Sequence, residues 1–242
     1  IPDGIREVIG KRLNRLSEPC GQTLAVASVI GREFSLPELV LLIDHMSEER
    51  LFDALEEAVA ARVIDELSQS VDRYEFTHAL IRETLSDELT GGRRARLHRR
   101  IGEAMEQLYA ANLEAHLAQL SHHFFESHQV GAADEAVKYS TRAAQRQMAL
   151  AAYEEATRRY EMALQALKFK EPDETNQRCD LLVGLGEAQN KAGQHLRARE
   201  TFQIAASAAK RLGYFESLTD AVLGLEEVNW RPGLSDPNTV SL

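Results

Sequence analysis

Tyr74-Glu75-Phe76-Thr77-His78-Ala79-Leu80-Ile81-Arg82-Glu83-Thr84-Leu85 is the stretch where the chain changes character. Tyr74 and Phe76 alternate with polar neighbours, as a half-buried strand requires. From Ala79 onward the apolar residues recur at helical spacing. Upstream the chain reads as a small mixed α+β unit; downstream it reads as helix throughout. His78 sits at the change. A histidine there is either a core or capping residue, or a group held by a rigid junction for a ligand.

Working upstream, Val63-Ile64-Asp65-Glu66-Leu67 alternates weakly and Ser68-Gln69-Ser70-Val71-Asp72 is turn material. With Arg73–Phe76 these make a β-hairpin with a five-residue loop. Before the hairpin come short helices. Ile5, Val8, Ile9, Arg12, Leu13 and Leu16 mark an amphipathic one over residues 5–16. Ser17 caps the next, with Pro19 in its first turn, and it runs to about Ile30. Gly31-Arg32-Glu33-Phe34 breaks it. Ser35-Leu36-Pro37-Glu38 is a capping box, and Ser47 opens a helix that buries Leu51, Leu55, Ala58 and Val59. Short helices, a hairpin, then a helix is the order of a winged-helix domain with the hairpin as wing. That domain is assigned to residues 1–90.

Downstream, no strand is predicted. Helices are expected at about 93–111, 113–128, 132–147, 150–168, 174–192, 195–211 and 215–229. Their short connections imply antiparallel neighbours stacked in order. Ala156, Tyr160 and Ala163 are matched by Ala198, Phe202 and Ala205 at the same spacing, and Leu182, Leu185 and Gly186 precede the second set. Small residues where helices cross, with one large residue filling the gap, are the tetratricopeptide (TPR) pattern. It is clear over 175–211 and looser over 113–168, where Phe124 occupies a position that wants a small residue. The predicted fold class is therefore mainly α: a winged-helix domain followed by a TPR-like α-superhelix over 91–230. Residues 231–242 have no periodicity and are expected to be a disordered tail.

Of the 242 residues, few are aromatic, and the net charge is −10. An acidic balance disfavours nonspecific nucleic-acid binding as the main task. Cys20 and Cys179 lack metal-type spacing and are expected to be free thiols, which with no visible signal peptide points to the cytoplasm. No apolar run approaches the ~20 residues that span a bilayer, so no membrane partner is expected. The chain opens Ile1-Pro2 without an initiator Met, and reads as an excerpt of a longer protein.

Nothing matches GxxxxGK[ST] or GxGxxG, and there is no nucleophile elbow, HExxH or CxxC. The chain is therefore not expected to be an enzyme, to hold a cofactor of its own or to bind metal. His116, His122, His123 and His128 crowd one segment, but adjacent helical residues point about 100° apart, so a polar helix face is preferred to a metal site. Arg93-Arg94-Ala95-Arg96-Leu97-His98-Arg99-Arg100 is the one basic run. It is either a site for an anion or a solvated face paired with Glu83, Asp87 and Glu88, with Leu97 and Ile101 turned inward; the second is preferred. His78 has the more specific case. A strand holds it at a helix start, where free N–H groups also favour anions.

Three segments carry a family resemblance. Ile1–Ile9 with Arg12-Leu13 and Leu16-Ser17, Ala27–Phe34 with its G-x-x-F, and Phe76-Thr77-His78-Ala79-Leu80-Ile81-Arg82-Glu83 followed by Arg94 and Leu97-His98 resemble the winged-helix region of STAND-class signalling ATPases. The nearest in flavour are bacterial multidomain regulators with a TPR array and a cyclase or LuxR-type output domain. The resemblance covers about residues 1–168, and the rest is generic TPR. It implies that an ATPase core of the same polypeptide precedes this segment, with ADP or ATP bound there. It also implies that His78 corresponds to the histidine of the MHD motif, which contacts the β-phosphate of ADP in the closed state, with Phe76 packed behind. Ala79 departs from the pattern, standing where many relatives have an acid. The implied role is a regulatory one, coupling nucleotide state to a protein or small-molecule signal at the TPR groove. The rivals are a DNA-binding winged helix with a TPR interaction domain, whose recognition helix over 47–61 would be acidic, and a free-standing TPR adaptor.

Overall fold

A computed structural model describes residues 10, 12–67, 71–170 and 175–230. The sequence expectations for residues 1–9 and for the tail at 231–242 lie outside them, as does the middle of the hairpin loop. The chain is mainly helical and divides into two compact units, Ile1–Leu113 and Glu114–Leu242.

In the first unit, α1 (Glu18–Ile30) opens at Ser17, whose hydroxyl accepts the Cys20 N–H at 3.3 Å. Its inner face, Cys20, Leu24 and Ala27, is fully buried. The chain does more than break at Gly31: it forms a short strand, β1 (Glu33–Ser35). Three residues are too few to show a period, so only pairing reveals this strand. α2 (Leu36–Leu42) carries the expected capping box, with Glu38 Oε2 accepting the Ser35 N–H at 2.7 Å and its hydroxyl at 2.9 Å. The other Glu38 oxygen accepts the Tyr109 hydroxyl at 3.1 Å. α3 (Glu48–Ala60) starts at Ser47 and buries Leu51, Ala54, Leu55 and Ala58.

The hairpin forms as read. β2 (Ile64–Glu66) pairs antiparallel with β3 (Arg73–Phe76), Ile64 opposite Phe76 and Glu66 opposite Tyr74. β3 also pairs with β1, placing Phe34 opposite Tyr74, so the sheet order is β1-β3-β2. Phe34 stacks on Tyr74 at 5.9 Å and meets Phe76 at 5.5 Å, forming an aromatic floor that fixes the central strand. α4 (Ala79–Asp87) and α5 (Gly91–Leu108) follow. α5 packs on α1 and α2 and belongs to this unit.

The second unit is a succession of helices. A 3₁₀ segment at Ala110–His116, kinked at Asn112, leads into α6 (Leu117–Glu126). The single helix expected over 113–128 is thus shorter. Its end is chemical: the Ser127 hydroxyl donates to the carbonyls of His123 at 2.9 Å and Phe124 at 3.1 Å, closing the last turn instead of extending it. Then come α7 (Ala133–Ala149), α8 (Tyr153–Leu167), α9 (Asn176–Lys191), α10 (His195–Leu212) and α11 (Phe215–Asn229). Each packs most extensively on its sequence neighbour, and α9 also meets α11. Among the described residues no strand occurs here.

The packing follows the small/large rule. Ala136, Ala156, Ala163, Ala198 and Ala205 are fully buried at helix crossings. A Cβ on Gly184 would come within 2.6 Å of the Tyr160 ring; one on Gly186 or Gly224 would come within 2.6 or 2.4 Å of the Phe202 ring. Each large residue of one helix therefore sits on a bare backbone of the next. Phe124, too large for its position by the repeat pattern, is accommodated by stacking on Tyr139 at 5.3 Å.

Candidate functional site

His78 is the N-cap residue of α4 in extended conformation (φ −143°, ψ 136°). Its side chain is exposed and makes no capping bond. Its carbonyl accepts the Ile81 N–H at 3.1 Å. The first turn of α4 contains no acid, and its cap supplies no side-chain acceptor to the N–H groups there.

The residues before His78 are tightly held. The Phe76 N–H donates to the Arg32 carbonyl at 3.0 Å, and Phe76 itself is buried. The Thr77 N–H donates to the Val63 carbonyl, and the Thr77 hydroxyl reaches the carbonyls of both Arg62 and Val63, each at 3.1 Å. The junction is therefore stitched to the end of α3 as well as to the sheet.

That end is unusual. Arg62 adopts φ 53°, a left-handed conformation that costs a non-glycine residue on the order of 1–2 kcal/mol. The Arg62 N–H bonds to Val59 O at 2.8 Å and the Val63 N–H to Ala58 O at 3.0 Å, which closes α3 with the turn that this conformation permits. The Arg12 guanidinium then ties down the exposed carbonyls of the turn. It donates through Nε to Ala61 O and through Nη2 to Arg62 O, each at 3.0 Å. A cation there also complements the negative end of α3. Arg32 is turned to Glu75 at 3.1 Å. This scaffold can present one imidazole and a helix N-terminus to an anion with little freedom to move. Neither the Thr77 hydroxyl bonds nor the Arg62 conformation was legible in the sequence; the F-T-H order gave only the strand end and the cap.

Two of the four clustered histidines, His116 and His128, go to separate partners. His116 Nδ1 pairs with Gln119 Oε1 at 3.0 Å. His128 is buried, hydrogen-bonded through Nδ1 to the Phe125 carbonyl and edge-on to Phe169 at 4.6 Å. His122 and His123 lie ring to ring at 5.2 Å, one exposed and one buried. In the basic run, Ile101 is buried and Leu97 half-buried, as expected. Arg94 donates to the Ser86 carbonyl at 3.2 Å, Arg99 pairs with Glu103 at 2.9 Å, and Arg100 donates to the Leu42 carbonyl at 2.9 Å. Arg99 thus pairs along its own helix. No described helix is long and apolar enough to cross a membrane.

No protein-family profile and no curated protein matches the chain. Among solved structures, it is similar to the crystal structure of a Signal Transduction ATPase with Numerous Domains (STAND) protein with a tetratricopeptide repeat sensor from Pyrococcus horikoshii. The identity is 11% and the TM-score 0.31, over 95% of this chain and 47% of that one. This chain thus spans about half of that protein's length. A likeness at this level lies below that at which fold or function transfers between chains.

Proposed function

We propose that this chain is a regulatory, non-catalytic segment of a STAND-type signalling ATPase. In this reading residues 1–90 form a winged-helix-like domain, on which α5 packs, and the helices of the second unit form a TPR-like array. His78 contacts a phosphate of ADP held by an ATPase core of the same polypeptide. The observation that carries the reading is the exposed, uncapped His78 at the start of α4, fixed from behind by Thr77 and Phe76. Imidazole N–H and helix N-terminal N–H groups both donate to phosphate oxygens, and anions at such a terminus are favoured. The sequence motif around His78 supplies the family expectation, and an exposed imidazole at a helix start supports it.

The mechanism follows from differential binding. ADP in the core would be held partly by His78, keeping the segment closed on it. ATP would fit the open state better, release His78 and let the helical array move. A ligand shifts such an equilibrium only by its difference in affinity for the two states. The array would receive a protein or small-molecule signal in the cytoplasm. DNA recognition is disfavoured because α3, the helix that would enter the groove, exposes Glu48, Glu49, Asp53 and Glu56.

His78→Ala in the complete gene product should raise its basal output in the absence of signal. In the present chain alone the same change should leave the unfolding midpoint unmoved, because the side chain is exposed and uncoupled from the fold. Unchanged basal output alongside an unchanged midpoint would sink the assignment.

A further inference from the structure

The first turns of α5 are electrostatically inverted. A helix N-terminus carries the positive end of the macrodipole and favours acids. α5 has no acid in its first turn, and its N-cap Thr90 makes no side-chain capping bond. It has arginines instead. Arg93, Arg96 and Arg100 fall at i, i+3 and i+7, which places them on one face. Arg96 folds back over the first turn, its guanidinium 3.7 Å from where a Cβ on Gly92 would stand. Among the described residues neither Arg93 nor Arg96 has a carboxylate partner. Like charges gathered against a helix dipole favour an anion beside them.

These arginines line a cavity of about 310 Å³ within the first unit. His45 completes its polar wall, and Val26, Leu42, Ile43 and Leu97 form an apolar one. Leu42 and Ile43 are buried, so that wall belongs to the core and is rigid. Arg100 is anchored by the Leu42 carbonyl at 2.9 Å. The nearby anion is Asp44, an exposed carboxylate 3.6 Å from both Arg100 and His45. His45 also faces Gln22 Oε1 at 3.4 Å. Asp44 compensates one edge of the cluster and leaves Arg93 and Arg96 open.

We propose that this cavity binds a small phosphate monoester carrying an apolar body. Guanidinium forks match phosphate oxygens bidentately, and the two open ones, Arg93 and Arg96, suit a dianion better than a singly charged carboxylate. The volume is that of a small-ligand site, and the mixed lining orients the ligand, phosphate toward the Arg93 and Arg96 guanidiniums and body toward Leu42 and Leu97. The site is distinct from His78 and does not depend on nucleotide in an ATPase core. The same phosphate could come from a soluble ester or a lipid headgroup.

The test is a titration of the 242-residue chain with phenyl phosphate, inorganic phosphate and phenol, read by calorimetry and by the shift in unfolding midpoint. Phenyl phosphate should bind about tenfold more tightly than inorganic phosphate, and phenol should not bind measurably. The Arg93→Gln/Arg96→Gln double variant should lose the binding while its unliganded midpoint stays the same or rises. Asp44→Asn should tighten binding by removing the competing carboxylate. Sedimentation with vesicles of phosphatidic acid in phosphatidylcholine, competed by phenyl phosphate, would identify a headgroup as the source; no sedimentation would identify a soluble ester. Equal binding of phenyl and inorganic phosphate, or binding that survives the double arginine change, would overturn the proposal.

Discussion

Thr77 does the holding and His78 the presenting. The Thr77 hydroxyl bonds to the carbonyls of Arg62 and Val63, whereas the His78 side chain is bonded to neither sheet nor helix. Thr77→Val keeps the shape and removes the hydroxyl, so it should cost about 1 kcal/mol of stability. An unchanged denaturation midpoint would show that the junction is held by its backbone alone. Cys20 behaves differently: burial, with Glu57 nearby, pushes its thiol up to about 12. At pH 8 it should stay unlabelled by a disulfide reagent in the native protein and react fully once unfolded; rapid native labelling of Cys20 would contradict the core described here. Legibility at this scale divided sharply. The change from period 2 to helical period located His78 and its cap. The positive φ of Arg62 left no trace, because an arginine in that conformation looks like any other arginine in sequence.

Helix connections show what an element needs to stop. Gly193 and Gly213 close α9 and α10 at φ 78° and 68°, each followed by an N–H that reaches back five residues, Gln194 to Gln189 at 2.8 Å and Tyr214 to Ala209 at 2.9 Å. The α7–α8 connection repeats that bond, Ala152 to Gln147 at 2.9 Å, but with Ala151 at φ 59°. Ala151→Gly should therefore stabilise by on the order of 1 kcal/mol, against the usual cost of glycine, because it relieves a left-handed alanine. A fall in midpoint would mean that the strain is absent. Packing gives the opposite sign at Gly224, where an added methyl meets Phe202 at 2.4 Å. Gly224→Ala should cost about 1–3 kcal/mol, as overpacking does, and Phe202→Leu in the same chain should recover part of it. If the two losses simply add, the ring and the glycine are not in contact.

One carboxylate of the second unit adds a pH signature. Burial first, then Asp220 and Glu227, raise Glu187 above its ordinary 4.5, with Lys191 opposing. A raised folded value means that the native state holds the proton longer than the unfolded one. This stability is present below about pH 4.5 and is lost as pH rises through the folded value. Glu187→Gln should thus raise the midpoint at pH 7, with the gain vanishing below that ordinary value. An equal gain at both pH values would assign the effect to packing. The helices of this unit were legible because alanine and aromatic positions recur at fixed offsets. Strand β1 and the early end of α6 were not, since one rests on a partner 40 residues away (Glu33 opposite Glu75 to Ser35 opposite Arg73) and the other on side-chain bonds from Ser127.

The whole molecule sets two units side by side in sequence, one offering an imidazole at a fixed helix start and the other a stack of helices. The central claim is that the first unit reads a nucleotide bound by the rest of the polypeptide. The most direct measurement is the rate at which ADP leaves the complete gene product, wild type against His78→Ala, followed with a fluorescent analogue. Loss of one hydrogen bond to a charged phosphate, about 1.5–3 kcal/mol, should speed release by roughly ten- to a hundredfold. Identical release rates, or no bound nucleotide in the complete protein, would contradict the account.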